Sequence, residues 1–358
     1  MNFMKHLDIR SDEVQNIGNK TDKRIVRTDK NLFTHSDVYF THAYAQLYEG
    51  KEQGKTETVY FENEAGKVEY TFIKRKVPFK VDGKQYYDIT TAYGYSGPCI
   101  RDCVDAKQLL EDFNQSFRQY CNENDIVSEF VRFHLFENRE VRLHFDGEVS
   151  MLGNHVARNL KEPLNKNFHK SIGRSVRKAE REGLTVSFDL TGENIKDFLS
   201  IYYQTMDRND ANQFYYFEET FFEELHQSLK GEFLYSQALL EGEIIASYLN
   251  IIGGNYMYGF LGGTKEKYFD YHASTYLEYQ SIKYAKEKGL QYYIMGGGYK
   301  ENDGIYKYKK KFDLHGDHSF YIGKKVHNQE IYEALNRARA EEKETFDAHS
   351  NFFPLYRS

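Results

Sequence analysis

Apolar and polar positions along this chain switch between a period near 3.6 and a period of 2, and the switches mark its elements. Residues 1–35 are polar with little periodic signal. The spacing of Val38, Tyr39, Ala43 and Leu47 predicts a helix over 35–48. Two strands are expected over 57–63 and 68–77, joined by a turn at Glu64, Ala65 and Gly66. Residues 86–98, YYDITTAYGYSGP, read as a strand that breaks into a Gly/Pro turn. Leu109, Leu110, Phe113, Phe117 and Tyr120 share one side of a predicted helix over 104–122. Strands over 127–136 and 140–145 follow.

A helix is predicted over 167–182 and is stopped by Gly183. Phe168, Ile172, Val176 and Ala179 fall on one side of it; Lys170, Arg174, Arg177, Lys178 and Arg181 fall on the other. Further helices are expected over 193–208 and 218–229, then strands over 233–240, 243–252 and 255–263 with tight turns between them. A helix over 272–288 ends at Gly289. A strand over 292–295, a short lysine-bearing helix, a strand over 319–324 and a charged helix over 328–346 complete the chain. Each half thus runs through helices, an antiparallel meander, a helix and a strand, without a residue-level repeat.

At 358 residues the chain exceeds one ordinary core, so two domains are expected. No apolar run approaches the roughly 20 residues that a membrane helix needs. The N-terminal residues lack the apolar stretch of a secretory signal. Cys99, Cys103 and Cys121 are odd in number and lack metal-ligand spacing, which fits reduced thiols in a soluble, cytoplasmic protein. A net charge of −6 argues against nucleic-acid binding by the whole surface but leaves room for a local basic stripe. The 31 tyrosines and 27 phenylalanines, with no tryptophan, need no functional explanation; an AT-rich coding sequence produces that bias.

Candidate chemistry concentrates in QYYIMGGGYKENDGIYKYKKKFD, residues 291–313. Glycines after a strand let backbone approach a bulky ligand. The lysines just beyond, Lys307, Lys309, Lys310 and Lys311, offer donors for phosphate or for a carbonyl oxygen that gains charge in acyl transfer. The same residues also serve as ordinary turn and surface positions. The cationic side of the 167–182 helix admits two readings: a solvated face paired with Glu180 and Glu182, or a face for phosphates. No G-x-S-x-G nucleophile motif is present, and the histidines form no H-E-x-x-H set, so no metal is expected.

Several stretches, in chain order, resemble FemABX-like transferases. They are YYDITTAYGYSGP, EFVRFHLF, SIGRSVRKAEREGLTV, IYYQTMDRNDANQFYYFEETFF, NYMYGFLGGT and GGGYKENDGIYKYKKKFD. The resemblance covers about residues 35–325. It implies an α/β (α+β) fold of two tandem GNAT-like domains, each a mixed, mostly antiparallel sheet flanked by helices. The first would span 1–160, completed by the returning segment 319–358; the second would span 161–318 and carry the basic helix 167–182. The implied activity is transfer of an aminoacyl group from aminoacyl-tRNA to an amine of a peptidoglycan or other cell-wall precursor, through a ternary complex and with no tightly bound cofactor. An N-acyltransferase using acetyl-CoA or another acyl-CoA on a sugar nucleotide, surface polysaccharide or small amine is the alternative. A non-catalytic tandem module is a third. Contact with tRNA and peripheral contact with a membrane fall within the resemblance, and the oligomeric state does not.

The same resemblance suggests residue roles. The closing lysine maps to Lys309, for the oxyanion or the donor's terminal phosphate. Arg208, Tyr215, Tyr216 and Tyr258 would contact the acceptor. Tyr95 and Asp102 would contribute an acceptor contact or a weak general base. Arg174, Arg177 and Lys178 would face phosphates. Ala92 stands where the family carries proline. The loop from Lys265 to Thr275, KEKYFDYHAST, contains no glycine, so a backbone cradle for the pyrophosphate of acetyl-CoA is hard to build there.

Overall fold

The computed structural model describes residues 25–33, 37–300, 303–342 and 346–358. The described residues divide into two compact units: one holds those of 25–33, 39–152 and 321–358, the other those of 37–38 and 153–320.

The first unit is built on strands β1 (Val26–Thr28), β2 (Gly54–Asn63), β3 (Gly66–Val81), β4 (Lys84–Thr90), β5 (Cys99–Cys103) and β6 (Ile126–Arg132). Its helices are α1 (His42–Gln46), α2 (Glu49–Glu52), α3 (Ala106–Glu123) and α4 (Arg139–Leu143). The sheet order is β1-β2-β3-β4-β6, with β5 paired to β3, and β4–β6 is its parallel pair. Asp105 caps α3 by accepting from the Gln108 amide at 3.1 Å. The apolar stripe of α3, Leu109, Leu110, Phe113 and Phe117, packs on Val59, Phe61, Tyr70 and Phe72 to form the core.

Strand β7 (Glu148–Asn159) leads into the second unit. That unit contains α5 (Lys170–Arg181), β8 (Thr185–Asp189), α6 (Ile195–Arg208), α7 (Glu219–Ser228), β9 (Phe233–Leu240), β10 (Glu243–Gly253), β11 (Tyr256–Thr264), α8 (Ala273–Glu287), β12 (Tyr292–Gly296) and α9 (Gly304–Lys310). The order is β7-β12-β11-β10-β9-β8, and β11–β12 is the parallel pair. Helices α5 and α8 bury Ile172, Val176, Ala179, Leu277, Ile282 and Ala285 against Ala246, Met257 and Tyr293. Helix α6 covers the opposite face, where Phe198 meets Tyr235 edge-on at 5.0 Å. Strand β13 (Asp317–Val326) and α10 (Gln329–Glu342) follow. The C-terminus is tied into the first unit by Tyr356, which donates to Asp88 at 3.2 Å, and by Arg357 Nε, which donates to Asp88 at 2.5 Å.

The two units repeat one order: a three-stranded antiparallel meander, a helix, then a strand parallel to the third. Each is a mixed, mostly antiparallel sheet flanked by helices.

Local differences from the sequence reading have physical causes. The helix expected over 35–48 is a 3-10 turn (Val38–Phe40) followed by α1 and α2. Thr41 is extended and its hydroxyl accepts from the Tyr44 amide at 3.1 Å, so a new helix starts there; His35 lies outside the described residues. Residues 140–145 are not a strand. Asn138, held by Pro98 O at 2.6 Å, accepts from the Arg142 amide and starts α4 instead. Strands β1, β5, β7 and β8 were not legible as elements: each is short or half-exposed and shows no clean alternation.

Candidate active site

The parallel pair of the second unit is joined over only three residues. Tyr256, Met257 and Tyr258 pair with Tyr292, Tyr293 and Ile294. Strand β11 then runs on to Thr264, still bonded to β10 on its other edge, while β12 ends at Gly296. Leu249 faces Leu261 and Asn250 faces Gly259, so Phe260 is an extra residue, a bulge that bends β11 where the strands part. Beyond that point one edge of Gly259–Thr264 is no longer bonded to β12. In the first unit the corresponding strands stay closed. Past Thr90, the Thr91 amide donates to Phe130 O at 3.1 Å and the Ser96 amide to Arg132 O at 2.7 Å. The Arg132 guanidinium donates to Thr91 O at 2.9 Å across the same seam.

Polar side chains collect near the point where the two strands part. Tyr293 donates to Asn250 Oδ1 at 3.0 Å, and its hydroxyl lies where a Cβ on Gly259 would come within 3.3 Å. Asn250 Nδ2 donates to Ser236 Oγ at 3.0 Å, which also accepts from Ser281 at 2.9 Å. Glu278 on α8 is buried, and burial pushes its carboxyl up to about 7 against the opposing pull of Tyr293 and Lys309. Burial likewise draws the Lys309 ammonium down to about 8, although Glu278 and Asp303 favour its charge. Lys309 Nζ donates to Gly297 O at 2.7 Å. Beside it, burial and the Lys309 charge hold His155 near 3, a neutral imidazole stacked on Phe320.

Close packing explains the glycines. A Cβ on Gly297 would lie 2.8 Å from the His155 ring, and one on Gly298 would lie 2.2 Å from Asp303 Oδ1. Asp303 caps α9, accepting from the amides of Tyr306 at 2.8 Å, Lys300 at 3.0 Å and Tyr299 at 2.6 Å. Behind α9, the buried pair Arg158–Asp313 closes at 2.9 Å, and Arg158 also donates to Pro163 O at 2.7 Å.

Arg208, Tyr215 and Tyr216 come together at the end of α6. Arg208 lies over the Phe269 ring at 4.8 Å and Tyr216 donates to Asp207 at 2.9 Å, while the Tyr215 carbonyl accepts from Tyr202. Arg208 thus marks the end of β11, as Lys309 marks the end of β12. Tyr258 is interior, 1% exposed, and donates its hydroxyl to Asp37 at 2.7 Å. In the first unit Tyr95 is interior too, edge-on to Tyr39 and His134, whereas Asp102 is exposed on β5. Arg174 and Arg177 are exposed and Lys178 half-buried on α5; among the described residues none makes an ion pair, not even with Glu180 or Glu182.

The glycine-free loop forms a 3-10 turn, Glu266–Tyr271. Lys265 and Lys267 are paired to Glu243 at 2.9 and 3.3 Å, and the amides of Tyr268 and His272 are taken by carbonyls of the turn itself. Among the described residues, no group of three or more His, Cys, Asp and Glu could hold a metal, and no helix is long and apolar enough to cross a membrane.

Glu278, His155, Tyr293 and Asp303 were missed from sequence. Only Glu278 left a signal: it shares a helix side with Ser281 and Ala285, the buried side of α8. The others meet only through tertiary packing.

Residues 166–310 match the family described as acetyltransferase (GNAT) domain. No curated protein sequence matches the chain. Among solved structures, FemX superposes with a TM-score of 0.65 at 14% identity, covering 83% of this chain and 94% of that one. The C-terminal domain of a putative lysylphosphatidylglycerol synthetase from Agrobacterium fabrum gives 0.51 at 12% identity, covering 76% and 84%. L-PGS from Bacillus licheniformis gives 0.51 at 14% identity, covering 80% and 91%.

Proposed function

We propose that this chain, whose fold is tandem GNAT-like, is an acyltransferase that transfers an aminoacyl group from aminoacyl-tRNA to an amine of a peptidoglycan or other cell-wall precursor, in the cytoplasm. The observation that carries the reading is Lys309, a half-buried ammonium at the point where β11 and β12 part. A cation fixed there in low-dielectric surroundings is suited to the charge that develops on an acyl oxygen. Direct attack by a neutral amine then needs only that both reactants be held together.

Two further observations favour a polyanionic donor over acetyl-CoA. The α5 cations are unpaired among the described residues and so available to phosphates. The 3-10 turn before α8 has spent its lysines and part of its amides on itself. In this reading Arg208, Tyr215 and Tyr216 would meet the acceptor. The GNAT match over 166–310 favours a second reading, N-acylation from an acyl-CoA.

Calorimetric titration with a UDP-linked muramoyl pentapeptide and, separately, with acetyl-CoA distinguishes them. Binding of the peptide without acetyl-CoA binding supports the first reading. Saturable acetyl-CoA binding at or below about 100 µM, near −5.5 kcal/mol, overturns it in favour of the second.

A further inference from the structure

The first unit holds a guanidinium that its own packing leaves without a partner of opposite charge. Arg132 ends β6, the strand that corresponds to β12 of the second unit. Its Nη1 donates to Thr90 Oγ1 at 3.2 Å and to Thr91 O at 2.9 Å, so both hydrogens of that nitrogen are taken. Its Cζ lies over the Phe130 ring, 4.8 Å from the centroid. These contacts hold the planar group in one orientation. Its other edge, Nε with Nη2, makes no hydrogen bond, and the group makes no ion pair, among the described residues. Arg132 is half-buried, and that burial works against its charge.

The neighbouring carboxylates are already engaged. Asp88 stands two residues before Thr90 on β4; it is fully buried and accepts from Arg75 Nε at 2.7 Å and Arg357 Nε at 2.5 Å. Glu52 on α2 accepts from Arg75 Nη1 at 2.5 Å. Three largely enclosed guanidinium groups therefore share two carboxylates, and Arg132 is the one left over. Lys324, opposite Phe130 in register, sends its ammonium to Asn351 O at 3.5 Å. A guanidinium fixed along one edge and open along the other matches a carboxylate through two parallel N–H···O bonds. One excess positive charge is balanced by a single negative one, which favours a carboxylate over a phosphate dianion.

We propose that the open Nε–Nη2 edge of Arg132 is a binding site for a ligand carboxylate, set at the closed seam between β4 and β6. The assignment uses no residue of the second unit and does not depend on the acyltransferase reading.

The full-length protein, labelled with 15N-arginine, is titrated with sodium acetate in place of sodium chloride at constant ionic strength, and separately with inorganic phosphate. The Arg132 Nε–H resonance is the one missing from Arg132→Lys. It is expected to shift saturably with acetate and far less with phosphate. Arg132→Lys keeps the charge but lacks the fork, so acetate affinity, read from the Thr91 amide in uniformly labelled protein, should fall about tenfold or more. Arg132→Gln should abolish binding, and Arg132→Lys decides the matter if that variant does not fold. A resonance that moves no more with acetate than with chloride overturns the site. Phosphate binding as tight as acetate overturns the carboxylate assignment, and unchanged acetate affinity in folded Arg132→Lys overturns the role of the fork.

Discussion

Lys309 and Gly297 are joined by a single hydrogen bond, ammonium to carbonyl at 2.7 Å, and that bond fastens α9 to the end of β12. The carbonyl is neutral, so it fixes the lysine's position without neutralising it. A cation held this way costs no reorganisation when charge appears on a substrate oxygen. Lys309→Ala is expected to lower turnover by about 10²-fold or more with the fold intact. Steady-state kinetics beside a circular dichroism spectrum check this; full activity in a folded variant would remove Lys309 from the mechanism.

Two titrating groups of the second unit, Glu278 and Lys309, make stability depend on pH, each with a definite sign. Glu278 keeps its proton in the folded state up to about 7 but loses it near 4.5 when unfolded, so the folded state binds more protons between those values. Stability from this group is therefore present below 4.5 and lost as pH rises through 7, by about 3 kcal/mol. Lys309 acts oppositely higher up, because its folded value of about 8 lies below the ordinary 10.5; its contribution is regained as pH rises from 8 to 10.5. Denaturant unfolding at pH 4.5 and 7 should show Glu278→Gln gaining on the parent across that interval. Parallel stability curves would contradict the burial of a titrating carboxylate.

Arg158 and Asp313 should matter for stability rather than for binding. Both are buried, and the pair anchors the segment after α9 to β7. Arg158→Ala leaves the Asp313 charge uncompensated and is expected to cost about 3–5 kcal/mol. Urea unfolding measures it, and a loss under about 1 kcal/mol would mean that the pair behaves like an exposed one.

The cations of α5 make the opposite forecast. Arg174 and Arg177 are exposed and without ion pairs among the described residues, so Arg174→Glu with Arg177→Glu should leave stability within about 0.5 kcal/mol per site. Binding of unfractionated tRNA, followed by fluorescence anisotropy at several salt concentrations, should weaken and lose about two units of its log–log salt slope. An unchanged slope would take α5 out of any phosphate contact.

Much of this was legible in the chain because long periodic segments announce themselves. The stripe of α3, the two-sided α5, the meander β9–β11 and the glycine-terminated α8 lie within a few residues of their expected positions. The tandem GNAT-like fold was implied by the resemblance of the ordered motifs to FemABX-like transferases. Less was legible where tertiary contacts decide. Val141, Leu143 and Phe145 alternate as a strand would, yet Asn138 turns that stretch into α4. The glycine–lysine segment pointed to Lys309 but not to its surroundings. Glu278, His155 and Tyr293 come from α8, β7 and β12, and no spacing rule joins three elements so far apart in sequence. Tyr258 and Tyr95 read as accessible hydroxyls, whereas strand alternation and packing turn both inward.

The most direct test of the central claim is a transfer assay read by mass spectrometry. The purified protein is incubated with UDP-linked muramoyl pentapeptide and either aminoacylated bulk tRNA or acetyl-CoA. The predicted result is an acceptor heavier by one amino-acid residue, formed only with charged tRNA and lost in Lys309→Ala. An acetylated acceptor formed from acetyl-CoA, with none from charged tRNA, would contradict the account.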